Sequence, residues 1–119
     1  MSARWIVDGM NVIGSRPTGW WRDRPRAMRE LVGELRELGE PVTVVFDGEP
    51  FDLSDQAVDV RFARRRGRDA ADDDIVALVA AGDEPPCVVT SDTELAARVR
   101  AHGADVVGAG AFRARLERR

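Results

Sequence analysis

Three aspartates in this sequence stand at or just beyond the ends of apolar, β-branched segments. Asp8 ends the segment RWIVD, Asp47 follows VTVVF, and Asp92 follows CVVTS. If these segments are parallel strands, their carboxyl ends lie on one edge of a sheet, with neighbouring strands only ~4.8 Å apart. Ligands of open α/β sheets bind beyond that edge. A single aspartate of this kind is typically a turn or helix-capping residue, but three together predict carboxylates that converge in a functional site.

A fourth acid comes from the segment GRDAADDDIVAL, which leads into a predicted helix. At about 100° per residue, Ile75, Leu78 and Val79 define the buried stripe of this helix, and Asp72 falls near the edge of the stripe. Asp73 points roughly away from it. Acids in a first helical turn also stabilise the helix through capping and the macrodipole. Asp72 is therefore the fourth candidate, while Asp73 and Asp74 are assigned mainly to support of the helix.

Four carboxylates at one sheet edge predict a bound cation. Like charges at close range raise one another's pKa values or require a positive counter-charge. The sequence contains no lysine and a single histidine, and a set of oxygen ligands favours a hard divalent ion such as Mg²⁺ or Mn²⁺. Water activated by such an ion can attack a phosphodiester. The pattern therefore predicts a metal-dependent nuclease, and it leaves open whether one ion or two are bound.

Other sites built on an aspartate at a strand end fit this sequence poorly. A phospho-receiver domain uses an acidic pair after its first strand and a late lysine, whereas Gly9 follows Asp8 here and lysine is absent. A phosphatase of the haloacid dehalogenase type needs a second aspartate two residues after the first, where this chain has Met10. A serine or cysteine nucleophile would need a histidine partner. The sole histidine, His102, is expected to be a structural residue at a helix end.

Short β-branched segments alternate along the chain with segments of helical periodicity. Pro25 suits a helix start and Gly39 a helix end, and apolar residues recur every three or four positions between them. The predicted strands are residues 4–8, 42–47, 58–62, 87–92 and 104–108, and the predicted helices are about 25–39, 71–82 and 93–102. This order predicts an α/β fold with a mostly parallel central sheet covered by helices on both faces.

Two further segments lack a clear period. The stretch DGEPFDLSDQ, residues 47–56, is predicted to be an irregular loop. The glycine-rich stretch GAGAF is predicted to be a turn before a short last helix.

Length and composition indicate one domain over residues 1–119. Of these residues 44% are hydrophobic, which is enough for one compact core. No basic start followed by a long apolar stretch occurs near Met1, and no run approaches the ~18 apolar residues of a membrane span. A cytoplasmic protein without membrane association is therefore expected. Cys87 is the sole cysteine and is expected to be a buried, inert thiol.

The basic residues are compatible with a polyanionic partner despite a net charge of −3. All 18 of them are arginine, and several cluster in RPRAMR (24–29) and RFARRRGR (61–68). The guanidinium group offers a rigid fork of donors that suits phosphate. For any one cluster, an ordinary solvated face is an equally open interpretation, because a GC-rich coding sequence also replaces lysine with arginine.

Four motifs in the same order resemble those of the NYN-type, PIN-like ribonucleases, particularly the YacP-like branch. They are VDGMNVIG at 7–14, VVFDG at 44–48, AADDDI at 70–75 and VVTSD at 88–92, and together they span nearly the whole chain. The motif DGMN is the most distinctive of them. The resemblance implies a three-layer α/β/α PIN-like fold, a site for Mg²⁺ or Mn²⁺, and endonucleolytic cleavage of RNA.

The resemblance also implies roles for individual residues. The acidic cluster that holds the metal would consist of Asp8, Asp47, Asp72 and Asp92. Asn11 would orient the site or the scissile phosphate, and the Thr90 and Ser91 hydroxyls would support neighbouring carboxylates. Many family members have a second aspartate two residues after the late one, where this chain has Glu94, a further supporting candidate. The middle segment is shorter than in many relatives.

Substrate contacts would then fall to arginines that precede Asp72 and to an aromatic pair. A phosphate backbone lying across the metal could reach the arginines, and its binding should weaken with salt. The tryptophans could stack on unpaired bases, which favours single strands, or pack against the first long helix. The predicted RNA-contacting residues are Arg64, Arg65, Arg66, Arg68, Trp20 and Trp21.

Two alternatives to the ribonuclease remain open at this point. The first is a catalytically silent RNA-binding or adaptor module of the same fold, and an intact set of mutually repelling acids argues against it. The second is a structure-specific DNA nuclease, since related sites cut either polymer. The sequence leaves open whether a ribosome or an inhibitor protein is a partner, and it leaves the oligomeric state open.

Overall fold

The computed structural model describes residues 4–67 and 69–118. Arg68, one of the predicted RNA-contacting residues, lies outside the described residues. The strands are β1 (Trp5–Asp8), β2 (Val42–Phe46), β3 (Asp59–Phe62), β4 (Cys87–Val89) and β5 (Asp105–Val107). The helices are α1 (Gly9–Ile13), α2 (Arg24–Arg36), α3 (Ala70–Ala81), α4 (Thr93–Arg100) and α5 (Ala109–Glu117), with a 3₁₀ turn at Trp20–Arg22.

The five strands form one sheet in the order β3-β2-β1-β4-β5, and every neighbouring pair is parallel. The predicted α/β fold with a mostly parallel sheet is confirmed. The chain starts in the middle of the sheet, builds outward through β2 to β3, and then crosses back to add β4 and β5 on the other side. The direction in which successive strands are added to the sheet reverses between β1 and β4. Open α/β sheets bind ligands at such a point.

Helices cover both faces of the sheet and make a three-layer arrangement. On one face α1, α2 and α5 pack against strand residues such as Val7, Val44 and Phe46. On the other face α3 and α4 pack against Ile6, Val45 and Val88. Both faces of the central strands are therefore buried, which explains why β1 and β2 are almost entirely apolar, with Thr43 and the terminal Asp8 as the exceptions.

The amphipathic pattern of the first long helix is confirmed, although its end differs from the prediction. The Asp23 side chain accepts a 3.2 Å hydrogen bond from the Arg26 N–H and caps the start of α2, beside Pro25. Met28, Leu31, Val32 and Leu35 are buried on one side of it. The helix ends at Arg36, and the chain turns through Gly39, whose φ is 66°. A left-handed φ of this kind costs glycine little.

The other predicted elements agree with the structure to within a few residues. Helices α3 and α4 bury Ile75, Val79, Leu95 and Val99. Residues 47–58 contain no helix or strand, so the predicted irregular loop at 47–56 is confirmed.

Two local predictions were wrong or incomplete. Helix α1 was not predicted, because five residues are too few to show a helical period. It begins at Gly9, where a Cβ would lie 2.5 Å from the Phe46 ring, so the absence of a side chain permits this packing. The segment GAGAF is not a turn: Gly108 is the N-cap of α5 and the following residues are helical. Burial of Phe112 in the core outweighs the low helix propensity of Gly110.

Two single residues differ in part from expectation. His102 lies in the turn after α4 and is exposed. Cys87 is a free cysteine that is half-buried rather than buried, and burial raises the pKa of its thiol, which keeps it protonated and unreactive. In the part of the chain that the structure describes, no helix has the length and apolar character of a membrane span.

Candidate metal centre

The acids that end neighbouring strands meet at the C-terminal edge of the sheet. Strand β1 lies between β2 and β4. Asp8 is the last residue of β1, Asp47 follows β2 directly, and Asp92 comes three residues after the end of β4 at Val89. Asp72 reaches the same edge from the first turn of α3. The parallel sheet thus places all four predicted acids on one side of the molecule.

Asp8 is the most buried acid of the site, with 6% of its surface exposed. It occupies the N-cap position of α1, but its side chain makes no capping hydrogen bond. Its Oδ2 instead accepts a 3.0 Å hydrogen bond from the Thr90 hydroxyl. Burial, reinforced by the charges of Asp72 and Asp47, raises the pKa of Asp8 to about 7, although the Thr90 hydrogen bond opposes this rise. The Asn11 backbone N–H also opposes the rise, so the Asp8 carboxylate interacts with the start of α1 without making a regular capping hydrogen bond.

Three other carboxylates lie close enough together to share an ion. Asp69, Asp72 and Asp92 each offer an oxygen, and these oxygens all lie within 4.8 Å of one another. Burial, followed by the charges of Asp92, Asp69 and Asp47, raises the pKa of Asp72 to about 6, and the nearby Arg98 opposes this rise. Asp8 and Asp47 lie outside this group of three. The charges of Asp47 and Asp72 nevertheless act on Asp8, so the five acids interact electrostatically.

Thr90 connects two of these acids. Its hydroxyl donates to Asp8 and its Oγ1 accepts the Asp92 N–H at 3.1 Å. Asp92 is also the N-cap of α4, where its Oδ1 accepts the Leu95 N–H at 3.0 Å. One oxygen of Asp92 thus fixes a helix while the residue remains part of the acid cluster. Here a capping role and a place in the site occur together.

Asp47 holds α3 against the end of β2. Its Oδ1 accepts a 2.8 Å hydrogen bond from the Ala71 N–H, which supplies the cap that the N-cap residue Asp69 does not provide. This bond brings Asp72 to the sheet edge. On the outer side, the Arg24 guanidinium donates to the Asp47 carbonyl at 3.3 Å. A cation at the first turn of α2 therefore contacts the backbone of one of the acids.

The orientation of the Asn11 amide follows from its partner. Its Oδ1 accepts a 2.8 Å hydrogen bond from the Ser91 N–H. A backbone N–H can only donate, so the Asn11 atom that faces it must be the amide oxygen, and the amide nitrogen points to the opposite side. The Ser91 Oγ accepts the Ala109 N–H at 2.8 Å. The Ser91 hydroxyl therefore contacts the start of α5 rather than a carboxylate, unlike the Thr90 hydroxyl.

The remaining predicted support residues have other partners. Asp73 points away from the cluster, and its two oxygens contact Arg65 and, at 3.0 Å, Arg98. Asp74 accepts from the backbone N–H of Arg64 at 3.0 Å and lies 3.4 Å from its Nε. Glu94 is exposed in the first turn of α4. It does not belong to the group of carboxylates within mutual reach of an ion among the described residues.

The three predicted RNA-contacting arginines that the structure describes, Arg64, Arg65 and Arg66, each have an intramolecular partner. The Arg64 and Arg65 side chains are 77% and 70% exposed, and both pair with acids of α3. The Arg66 Nε lies 3.6 Å from Glu49, and its terminal nitrogen donates to the Ala63 carbonyl at 3.1 Å. An RNA phosphate would therefore compete with these carboxylates.

The two tryptophans differ in exposure. Trp20 is half-buried and packs against the core that includes α2, whereas Trp21 is 56% exposed. Their rings are edge to face with centroids 5.9 Å apart. The Arg22 guanidinium lies 5.9 Å from the centre of the Trp21 ring. Trp21 is thus the ring with a surface free for another partner.

Sequence reasoning missed two residues of this site. Asp69 joins the cluster from the left-handed region at φ 62°, as the sole described residue other than glycine with a positive φ. Asp tolerates that conformation better than most residues, and its position between Arg68 and the helix could have been read as a turn. Arg98 reaches the site only because α3 and α4 pack side by side, and no local pattern signals such a contact.

The donor set fits a hard divalent cation. It consists of carboxylate oxygens alone, the ligands that Mg²⁺ and Mn²⁺ prefer. The raised pKa values of Asp8 and Asp72 are the expected behaviour of crowded acids when no positive charge balances them. A divalent ion at this place would remove the repulsion.

Comparison with known proteins identifies structural neighbours but no sequence family. No family model matches the chain, and no curated protein matches it. A solved structure of a point mutant of Rae1 (YacP) from Bacillus subtilis superposes with a TM-score of 0.81 at 25% identity, covering 98% of this chain and 76% of that chain. A second structure of Rae1 (YacP) has a TM-score of 0.79 at 25% identity and covers 97% and 74% of the two chains. The name YacP is that of the ribonuclease branch that the sequence motifs resemble.

Proposed function

We propose that this chain is a divalent-metal-dependent endoribonuclease that hydrolyses phosphodiester bonds of single-stranded RNA. The observation that carries the proposal is the convergence of Asp8, Asp47, Asp72 and Asp92 at one sheet edge, where burial and mutual repulsion raise the pKa values of two of them. A protein that only binds RNA gains nothing from acids that repel both one another and the phosphate backbone. The structural likeness to Rae1 (YacP) supports a nuclease in general.

Asp69, Asp72 and Asp92 lie within mutual reach of one ion. We assign Asp8 and Asp47, which lie outside that group but act electrostatically on its member Asp72 or on each other, to the same metal centre. When bound, such an ion activates a water for attack on phosphorus and stabilises the leaving oxygen. The protein side chains supply position and charge. Asp47 and Asp92 each have one oxygen tied to a helix N–H, so their orientation is set before any ligand arrives.

Two groups of the chain are suited to hold the phosphate. The Asn11 amide is anchored by the Ser91 N–H through its oxygen, so its nitrogen can donate to a phosphate oxygen. The Arg24 guanidinium lies beside Asp47 and carries donors in a fork that matches phosphate. Both lie at the rim of the acid cluster. We assign them to orientation of the scissile phosphate.

The choice of RNA rests on resemblance, and the choice of a single strand rests on Trp21. The motifs are similar to those of YacP-like ribonucleases, and the neighbours carry the same name. The exposed Trp21 ring offers a stacking surface for an unpaired base. The predicted ribosomal or inhibitor partners, the cytoplasmic location and the single domain over 1–119 remain predictions.

The proposal is tested by incubating the purified chain with single-stranded RNA and DNA oligonucleotides of the same sequence, with Mg²⁺, with Mn²⁺ or with EDTA. We expect internal cleavage of RNA with either metal and none with EDTA. Cleavage of DNA at an equal or higher rate would replace the proposal with a DNA nuclease. Binding of RNA without cleavage in any metal would favour the silent binding module.

A further inference from the structure

A second cluster of charges adjoins the acids on the side of α4. The Asp73 carboxylate lies between two guanidinium groups, with Oδ1 3.0 Å from Arg98 and Oδ2 in contact with Arg65. The three residues come from different elements: the loop after β3, the first turn of α3, and α4. Sequence analysis linked Arg65 to RNA, but it assigned no such role to Arg98 and only helix support to Asp73.

The charges in this cluster do not balance. Two guanidinium groups share the single carboxylate of Asp73, and the charge of Arg98 acts on Asp72 as well. Each guanidinium carries five N–H donors, and the hydrogen bonds of the described residues use one terminal nitrogen of each, the one that contacts Asp73. The Arg65 and Arg98 side chains are 70% and 39% exposed. Unused donors of both groups are therefore accessible to an anion from solvent.

The cluster also lies in electrostatic contact with the acids. Asp73 directly follows Asp72 in α3, and the positive charge of Arg98 opposes the rise in the pKa of Asp72. Arg24 donates to the backbone carbonyl of Asp47. A nucleic acid backbone that passes over the acids and reaches α4 would meet the Arg98 guanidinium beside them.

Stability gives little reason for this arrangement. Exposed ion pairs contribute little to the free energy of folding, because water and salt screen them. Here one carboxylate aligns two guanidinium groups at the border of a site that must attract a polyanion despite its own negative charge. Arginine is the side chain best suited to bind phosphate through paired N–H donors.

We infer that Arg98 and Arg65, aligned by the Asp73 carboxylate between them, bind a backbone phosphate of the RNA next to the scissile one. This inference rests on the proposed function, because it assigns part of the substrate to a place beside the proposed metal centre. Arg65 and Arg98 are binding residues in this scheme, and Asp73 is a positioning residue.

The salt dependence of RNA binding tests the inference directly. A fluorescently labelled oligouridylate is titrated with the full chain in EDTA, where no cleavage interferes, at several salt concentrations. For a single strand, each neutralised phosphate contributes ~0.7 to the slope of log affinity against log salt. Arg98→Gln and Arg65→Gln should each weaken binding and flatten the slope by about that amount.

Arg100→Gln is the matched control. Arg100 is exposed and lies in the same helix as Arg98, and its replacement by glutamine removes the same charge. It should leave the slope unchanged. Arg98→Lys, which keeps the charge and loses the fork, should restore the slope and recover only part of the affinity. Equal effects of Arg98→Gln and Arg100→Gln would overturn the inference and show a general charge effect. If Arg98→Gln lowers the thermal midpoint, its weaker binding no longer reports the lost contact alone. The comparison of Arg65→Gln, in the exposed loop, with Arg100→Gln then decides whether the inference holds.

Cleavage kinetics separate this inference from the proposed function. In Arg65→Gln, loss of a phosphate contact outside the reacting group should raise KM about ten-fold and leave kcat nearly unchanged. An unchanged KM and slope in Arg65→Gln, with metal-dependent cleavage intact, would refute the phosphate subsite and leave the nuclease standing. Absence of cleavage in the parent protein would refute the nuclease, and the slopes in EDTA would still decide whether the two arginines bind phosphate.

Discussion

The Thr90 hydroxyl donates a 3.0 Å hydrogen bond to the buried Asp8 carboxylate, and through its oxygen it also accepts the Asp92 N–H. One side chain thus fixes two acids that come from neighbouring strands. The bond to Asp8 favours the charged form of that carboxyl, against the effect of burial and of the Asp72 and Asp47 charges. Thr90 therefore adjusts the pH at which the site can bind a cation.

We predict that Thr90→Val, which keeps the shape but removes the hydroxyl, lowers the free energy of unfolding by about 1–3 kcal/mol. A buried acid then loses its donor and a backbone N–H its acceptor. The pKa of Asp8 should rise further, so cleavage should require a higher pH. Urea denaturation and the pH profile of cleavage measure the two effects. Thr90→Ser keeps the hydroxyl and should resemble the parent in both, and a valine variant with the parent's stability and pH profile would contradict this role.

The raised pKa of Asp8 predicts a pH-dependent stability of the metal-free protein. Its folded-state pKa of about 7 exceeds the ordinary aspartate value of 3.8, so the folded state binds this proton more tightly than the unfolded state. The contribution is fully present below about pH 4 and is lost as pH rises through 7, by up to about 4 kcal/mol. Asp8→Asn should remove this loss.

The comparison is the difference in the free energy of unfolding between parent and Asp8→Asn, measured from pH 4 to pH 8 in EDTA. Other carboxylates titrate in the same range, and the difference removes their common effect. We expect the variant to gain stability over the parent as pH rises. A constant difference across the range would mean that Asp8 is not destabilised by its surroundings.

Divalent metal should stabilise the folded protein in a pH-dependent way. A ligand that binds only the folded state adds about 2.7 kcal/mol at one hundred times its dissociation constant. Deprotonation of Asp72, with a pKa of about 6, and of Asp8, with a pKa of about 7, must precede binding. The increase in thermal midpoint with Mn²⁺ should therefore be larger at pH 8 than at pH 5.5. Sodium chloride at equal ionic strength is the control, and an equal shift with sodium would argue against a specific site.

Gly9 should not tolerate a side chain, because a Cβ there would lie 2.5 Å from two atoms of the Phe46 ring. Gly9→Ala should cost about 1–3 kcal/mol through overpacking, and it should also displace the adjacent Asp8. Gly110→Ala is the matched control: no atom lies within 4 Å of its Cβ position in α5, so it should stabilise the protein by about 0.5–1 kcal/mol. Thermal and urea unfolding of both variants check the contrast, which fails if the two substitutions act in the same direction.

The convergence of the four acids was predictable because it depends on local signals. Each strand is a short β-branched run, and the aspartates follow these runs at Asp8, Asp47 and Asp92. A parallel sheet then leaves only one edge on which they can meet. The position of Asp72 followed from helical geometry in the same way.

What the sequence could not indicate depends on packing between distant elements. Arg98 reaches Asp73 because α3 and α4 lie side by side, and no spacing within either helix encodes that contact. The partner of Asp47 is the Ala71 N–H, 24 residues away. Helix α1 is too short to have a period. In GAGAF, glycine content suggested a turn, and burial of Phe112 produced a helix instead.

The most direct test of the metal centre is single-turnover cleavage of a single-stranded RNA by Asp47→Asn with Mn²⁺. Asparagine keeps the oxygen that accepts the Ala71 N–H and removes only the charge, so the fold should persist with an equal or higher thermal midpoint in EDTA. Asp105→Asn, which removes an exposed carboxylate at the start of β5, is the control and should cut like the parent. We predict that Asp47→Asn is folded and cuts RNA at least a hundred-fold more slowly, on the order expected for loss of an essential charged group. A folded Asp47→Asn protein that cuts as fast as the parent would contradict the assignment of this cluster as the metal centre of a nuclease.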